Sequence, residues 1–93
     1  MEIFSKKSSI RILLFLYNNE YSISSKYMLG KALEINTNSL NECIEILKEK
    51  NLVNTLEKLD ARNRIEVRLT KLGIIIAQSL EHIIKLLENS TEI

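Results

Sequence analysis

A chain of 93 residues, 45% apolar and 27% charged, has the ordinary balance of a folded domain and not the apolar-poor, highly charged character of disorder. Its length allows one modest core, so residues 1–93 are expected to form a single domain. The formal net charge of +1 excludes an indiscriminate polyanion binder, the one cysteine excludes an intramolecular disulfide, and the one histidine forms no recognised metal-ligand spacing with it. Neither a metal nor a cofactor is expected. No run approaches the roughly 18 uninterrupted apolar residues of a membrane span, and no basic region followed by a long apolar run opens the chain. The expected location is cytoplasmic, away from membranes.

Taken in chain order, "IRILLFLYNNE" places Ile10, Leu13, Leu14 and Tyr17 at helical spacing, with Ile12, Phe15 and Leu16 widening the apolar surface. This predicts a mostly buried helix from Ser8 or Ser9, ended by Asn18 and Asn19. "YSIS" is long enough only for a stub of strand around Ile23. Ser24 or Ser25 then caps a second helix, "KYMLGKALE", with Met28, Leu29, Ala32 and Leu33 as its expected inward stripe and Gly30 at a close packing contact.

After the short "EIN" connection, Asn36 is a good N-cap for a third helix, Thr37 to Lys50, whose Leu40, Cys43, Ile44 and Leu47 recur at i, i+3, i+4 and i+7. Asn51 can take the left-handed conformation that ends many helices. "LVNTLEKL" and "RIEVRLT" read as two strands of a hairpin, Ile65, Val67 and Leu69 alternating with Glu66 and Arg68, around a loop containing Asp60, Ala61, Arg62 and Asn63. Thr70 caps a last helix at about 71–89. The order is helix, stub strand, helix, helix, strand, strand, helix. Two helices joined by a three-residue turn and followed by a hairpin predict a mainly α fold with a small β-hairpin: a winged helix-turn-helix.

Charge is segregated along the chain. Residues 1–31 and 58–71 each carry five basic side chains against two acidic ones, whereas residues 32–57 carry five acidic against two basic. Such segregation either builds one basic face for phosphate or is ordinary solvated charge.

The features in "SISSKYMLGKALEINTNSLNECIEILKEKNLVNTLEKLDARNRIEVRLTKLG" resemble the core of winged helix-turn-helix transcriptional regulators, particularly MarR-like and related archaeal or bacterial types. The matching residues are the run from Leu47 to Val53, Asp60 with Arg62 and Arg64, and Leu69, Thr70 and Gly73, and the likeness covers about residues 8–80. The longer N-terminal dimerisation region usual in MarR-like proteins is not matched, which suits a minimal winged-helix protein. The resemblance implies double-stranded DNA as partner, a recognition helix in the major groove and a wing at the backbone. On the third helix Asn38 and Asn41 are placed to pair with adenine, Thr37 or Ser39 to meet a phosphate or a thymine methyl, and Glu42 to accept from cytosine, with Lys48 toward the backbone. On the wing and flanks, Lys26, Lys31, Lys58, Arg62, Arg64 and Arg68 supply positive charge. The alternatives are a solvated wing turn with Asp60 paired to an arginine, and a solvated or protein-binding third helix, since Glu42 and Glu45 repel phosphate. Thr70 and Gly73 are read as purely structural.

"LGIIIAQSLEHIIKLLEN" is too apolar for one face of a small domain. Ile76, Leu80, Ile83 and Leu87 have the spacing of a coiled-coil seam, and Ile75, Ile84 and Leu86 leave a second apolar surface. Either this helix joins a homodimer or it is wholly covered by its own domain. His82 is expected at the surface and Cys43 in the core. Without a glycine-rich phosphate loop, a nucleophile–base pair or clustered carboxylates, no enzyme is expected. The reading is a small dimeric, sequence-specific DNA-binding regulator that occupies an operator without an effector domain; the competing one is a winged-helix protein-interaction module with no direct DNA binding.

Overall fold

The structure, a computed structural model, describes residues 7–57 and 64–90. Its elements are α1 (Lys7–Tyr17), β1 (Ser22–Ile23), α2 (Lys26–Leu33), α3 (Thr37–Glu49), β2 (Val53–Glu57), β3 (Ile65–Leu69) and α4 (Lys71–Ser90). The predicted order is the observed one. The three strands form one antiparallel sheet in the order β1-β3-β2, so the stub strand lies on the far side of β3 from β2. This is a winged helix-turn-helix, mainly α with a small sheet.

The face that α1 buries differs from the one its spacing suggested. Ile12, Leu13 and Leu16 are fully buried together with Ser9, whereas Ile10, Leu14 and Tyr17 are only half-buried. Apolar residues occupy almost every position of this helix, so periodicity could not select one face; the polar Arg11 and Asn18 mark its outer side. The end of α1 follows from side chains returning to its last carbonyls, Asn18 Nδ2 donating to Leu14 O at 2.9 Å and Asn19 Nδ2 to Phe15 O at 2.7 Å. The chain then turns through Glu20 and Tyr21, both at positive φ. Tyr21 is held there by stacking on Tyr17, with ring centroids 5.8 Å apart, and by its carbonyl, which accepts from Leu69 N–H at 2.8 Å.

Helix α2 starts at Ser25, whose hydroxyl accepts from Met28 N–H, and ends at Glu34 in the left-handed conformation, with Ile35 N–H donating to Gly30 O at 2.9 Å. Of its expected stripe only Leu29 is buried and Leu33 half-buried, while Met28 is 54% exposed and Ala32 is exposed. An eight-residue helix touches its neighbours along a single narrow line, and here that line is Leu29, Gly30 and Leu33. A Cβ on Gly30 would stand 3.0 Å from Leu40 Cδ2 and 3.3 Å from Ile35 O, the close contact foreseen for this glycine.

Helix α3 buries Leu40, Cys43, Ile44 and Leu47, as its spacing requires, and its N-cap Asn36 accepts from Ser39 N–H at 2.9 Å. Beyond it Asn51 adopts φ 62° and Leu52 is buried ahead of β2. The strand register pairs Val53 with Leu69, Thr55 with Val67 and Ile23 with Val67, so these residues line the core face. Asn54, Leu56, Glu66, Arg68 and Ser22 occupy the other.

The chain ties α3, the sheet and α4 together at Thr70. Its N–H donates to Leu52 O at 3.0 Å, its hydroxyl donates to Asn51 O at 2.7 Å, and the same hydroxyl oxygen accepts from Gly73 N–H at 2.9 Å, capping α4. A Cβ on Gly73 would lie 2.0 Å from Leu52 O. Because the obstacle is backbone and not the end of a flexible side chain, Gly73→Ala is expected to destabilise the fold by about 3 kcal/mol. Urea denaturation followed by circular dichroism tests this, and an unchanged midpoint would count against the contact.

Candidate nucleic-acid interface

The surface left open by α2, their turn and α3 follows from which side of α3 is buried. With Leu40, Cys43, Ile44 and Leu47 inward, Thr37, Asn38, Asn41, Glu42, Glu45 and Lys48 are exposed, and Ser39 is half-buried. The N-terminal half of this surface is polar and uncharged apart from Glu42. Farther along, Lys48 pairs with Glu45 at 3.7 Å, an exposed pair one turn apart that adds little to stability.

Two lysines border this surface from α2. Lys26 Nζ donates to Asn41 Oδ1 at 2.6 Å, linking the first residue of α2 to the middle of the exposed face of α3. Lys31 lies over the ring of the exposed Tyr27, 5.5 Å from its centroid. Together with Asn36 and Thr37 they line a cleft of about 540 Å³ between the two helices. Arg11, counted in the sequence only as charge, donates from Nη2 to Leu33 O at 2.5 Å, and so supports the C-terminal end of α2.

On the wing, Lys58 and Arg62 lie outside the described residues. Arg64 is exposed immediately before β3. Arg68 projects from the outer face of the sheet and donates to both carboxylate oxygens of Glu66, at 3.1 and 3.3 Å. Glu66 is only 8% exposed despite its place on that face, so the pair joins a sheltered carboxylate to a largely exposed guanidinium. Sequence reasoning counted Arg68 as supporting positive charge and did not foresee this neutralisation. The signal was present, since residues two apart on a strand share a face and Glu66 and Arg68 are so spaced.

The expected seam of α4 divides in two. Ile76 and Leu80 are half-buried and pack against the chain's own core beside the fully buried Ala77, whereas Ile83 is 51% and Leu87 62% exposed. Ile75, Ile84 and Leu86 are exposed as well. Beside them a groove of about 510 Å³ is lined by Tyr17, Gln78, Glu81, His82, Ile83 and Lys85. His82 is exposed while Cys43 is buried in α3, so the two are well separated in environment. Among the described residues no group of three or more His, Cys, Asp or Glu side chains is placed to hold a metal ion, and no helix is long and apolar enough to cross a membrane.

Asn18 connects the end of α1 to this helix by donating from Nδ2 to Glu81 Oε2 at 2.9 Å, and Lys85 stands 3.4 Å from the other carboxylate oxygen. The Asn18 hydrogen bond, opposed by desolvation and aided by Lys85, holds the Glu81 carboxyl below its ordinary value of 4.5. A depressed folded-state pKa contributes stability that is complete above the unfolded value and is lost as pH falls through the folded one. Glu81→Gln is therefore expected to lower Tm at pH 7 and to match the wild type once the pH is well below about 4. Thermal melts across pH 3–7 would read it, and a Tm gap independent of pH would refute it.

No family model and no curated protein matches the sequence. Solved structures do resemble it. The transcriptional regulator homologue protein of Pyrococcus horikoshii OT3 superposes with a TM-score of 0.84 at 20% identity, over 100% of this chain and 91% of that one. MepR, a transcription regulator of the Staphylococcus aureus multidrug efflux pump MepA, gives a TM-score of 0.78 at 21% identity over 91% of this chain. Reduced MarR from E. coli gives 0.73 at 20% identity over 85% of it. The chain spans 62% of the MepR chain and 57% of the MarR chain. At such identities the likeness is one of architecture: the helix-turn-helix, three-stranded sheet and long last helix of this chain are the winged-helix fold of the MarR type.

Proposed function

We propose that this chain is a double-stranded DNA-binding transcriptional regulator that acts by occupying its site and not by catalysis, with α3 in the major groove, the β2–β3 wing along the backbone and α4 joining two copies. The observation that carries this reading is the polar N-terminal half of α3, with Thr37, Asn38 and Asn41 exposed and Lys26 and Lys31 bordering it from α2. Groove-reading helices meet base edges with their N-terminal residues, and amide side chains suit base edges. The winged-helix architecture shared with solved transcription regulators supports it.

Electrostatics distribute the work unevenly. Glu42, Glu45 and Glu49 are exposed on α3 and oppose phosphate, so affinity has to arise from Lys26, Lys31, Lys48 and the wing, with Lys58, Arg62 and Arg64 as its cations and Arg68 partly neutralised by Glu66. The same acidic surface favours a second reading, a protein-interaction module. A duplex titration at two salt concentrations separates the two. The DNA reading expects a Kd of about 1 µM or tighter at low salt. It also expects an Arg62→Ala, Arg64→Ala variant to lose affinity for all sequences and to reduce the salt slope by about two. Absence of binding at low salt would favour the protein-interaction module, and unchanged affinity in the double variant would remove the wing from the interface.

The dimer rests on the outer apolar surface of α4. Covering a large aliphatic side chain is worth about 2 kcal/mol, and Ile83, Ile84, Leu86 and Leu87, 37–62% exposed, leave a share of that unrealised in the single chain. A second copy seated on them relates two α3 helices by a two-fold axis, as a palindromic site one helical turn apart requires. Sedimentation equilibrium should give the mass of two chains for the wild type and of one for Ile83→Glu, Leu86→Glu. A monomeric wild type at high concentration would count against the interface.

A further inference from the structure

Resting on the DNA-binding reading, we infer that Lys26 sets the base preference of Asn41, turning an amide suited to adenine into part of a donor pair that selects guanine. The observation is the hydrogen bond from Lys26 Nζ to Asn41 Oδ1, 2.6 Å long and spanning the two helices of the helix-turn-helix. An ammonium has only donors, so the Asn41 atom facing it is necessarily the oxygen. That contact fixes the carboxamide's orientation on an exposed stretch of α3 where it would otherwise rotate.

The chemical consequence is specific. Adenine is read by an asparagine that donates to N7 while its oxygen accepts from the N6 amino group. Here the oxygen already accepts from a full positive charge, and an adenine amino group approaching it would have to sit beside that ammonium. Guanine presents O6 and N7, two acceptors, on the same edge. Asn41 Nδ2 supplies donors, and Lys26 keeps N–H groups beyond the one given to Oδ1, so the pair matches guanine and opposes adenine. Asn38, exposed one turn earlier on α3, remains the side chain suited to adenine. The sequence suggested the same base for both asparagines; the cross-helix bond distinguishes them.

Selection of the full chain on a duplex library with randomised positions tests the inference. Asn41→Ala identifies the position that Asn41 reads, as the one whose preference it abolishes. At that position the wild type should enrich guanine, and Lys26→Met should shift the guanine-to-adenine ratio toward adenine by about tenfold while the other positions keep their preferences. Should Lys26→Met fail to fold in a thermal melt, Lys26→Gln, which keeps a neutral donor to Oδ1 and removes the charge, is expected to shift the ratio in the same direction. Wild-type enrichment of adenine there, or an unaltered profile in the folded Lys26 variant, overturns this inference and leaves the DNA-binding reading standing. A library that is not enriched at all overturns the DNA-binding reading, and the inference with it.

Discussion

The structure depends on one close approach, the packing of the first turn of α4 onto the backbone of Asn51 and Leu52. Leu52 O accepts from Thr70 N–H, and Gly73 leaves room for that carbonyl where any Cβ would collide with it. Through these few atoms the end of α3, the start of β2, the end of β3 and the start of α4 share one position. Leu52 N–H in turn donates to Leu47 O at 2.9 Å, so the turn is anchored in the last buried residue of α3. The orientations of α3, the sheet and α4 are thereby coupled. None of the three can be re-aimed without disturbing a contact common to all.

The local signals for this junction were legible because each is a backbone requirement with a short list of residues able to meet it. Asn51 suits a left-handed end to α3, Thr70 suits an N-cap, and glycine alone tolerates the distance at position 73. The buried stripe of α3 was legible for the complementary reason, since its apolar residues alternate with strongly polar ones. In α1 that contrast is missing. Nearly every side chain there is apolar, and tertiary packing, not periodicity, put Ile12, Leu13, Leu16 and even Ser9 inside. In α2 the stripe was overestimated, because Met28 and Ala32 have apolar side chains and no surface within reach to cover them.

The candidate site was legible as a list of residues and not as a set of pairings. Spacing placed Thr37, Asn38 and Asn41 on an open face, and they are exposed. What spacing cannot give is contact between elements: Lys26 with Asn41 across the helix-turn-helix, and Arg11 with the last carbonyl of α2. Both bonds depend on how helices cross, and for Lys26 and Asn41 that crossing is the one at which Gly30 admits Leu40. Glu66 and Arg68 are a different case, since their pairing lies within one strand. Counting charges one by one treated as two ions what the strand brings together as one neutral unit.

If the proposed DNA-binding role holds, these pairings alter how a nearly neutral chain can distinguish one duplex from another. A protein relying on a dense cationic surface gains affinity for every sequence equally, because phosphate carries no base identity. On the proposed reading, the acidic residues along α3 weaken that indiscriminate attraction, and Lys26 and Lys31, which border α3 from α2, help to offset it. Under that reading, tight binding requires the exposed polar side chains of α3 to contribute as well as the cations. On the same reading, the close approach at Gly73 sets how α3 is carried relative to the sheet and α4, and the bond from Lys26 to Asn41 sets what that side chain has left to accept.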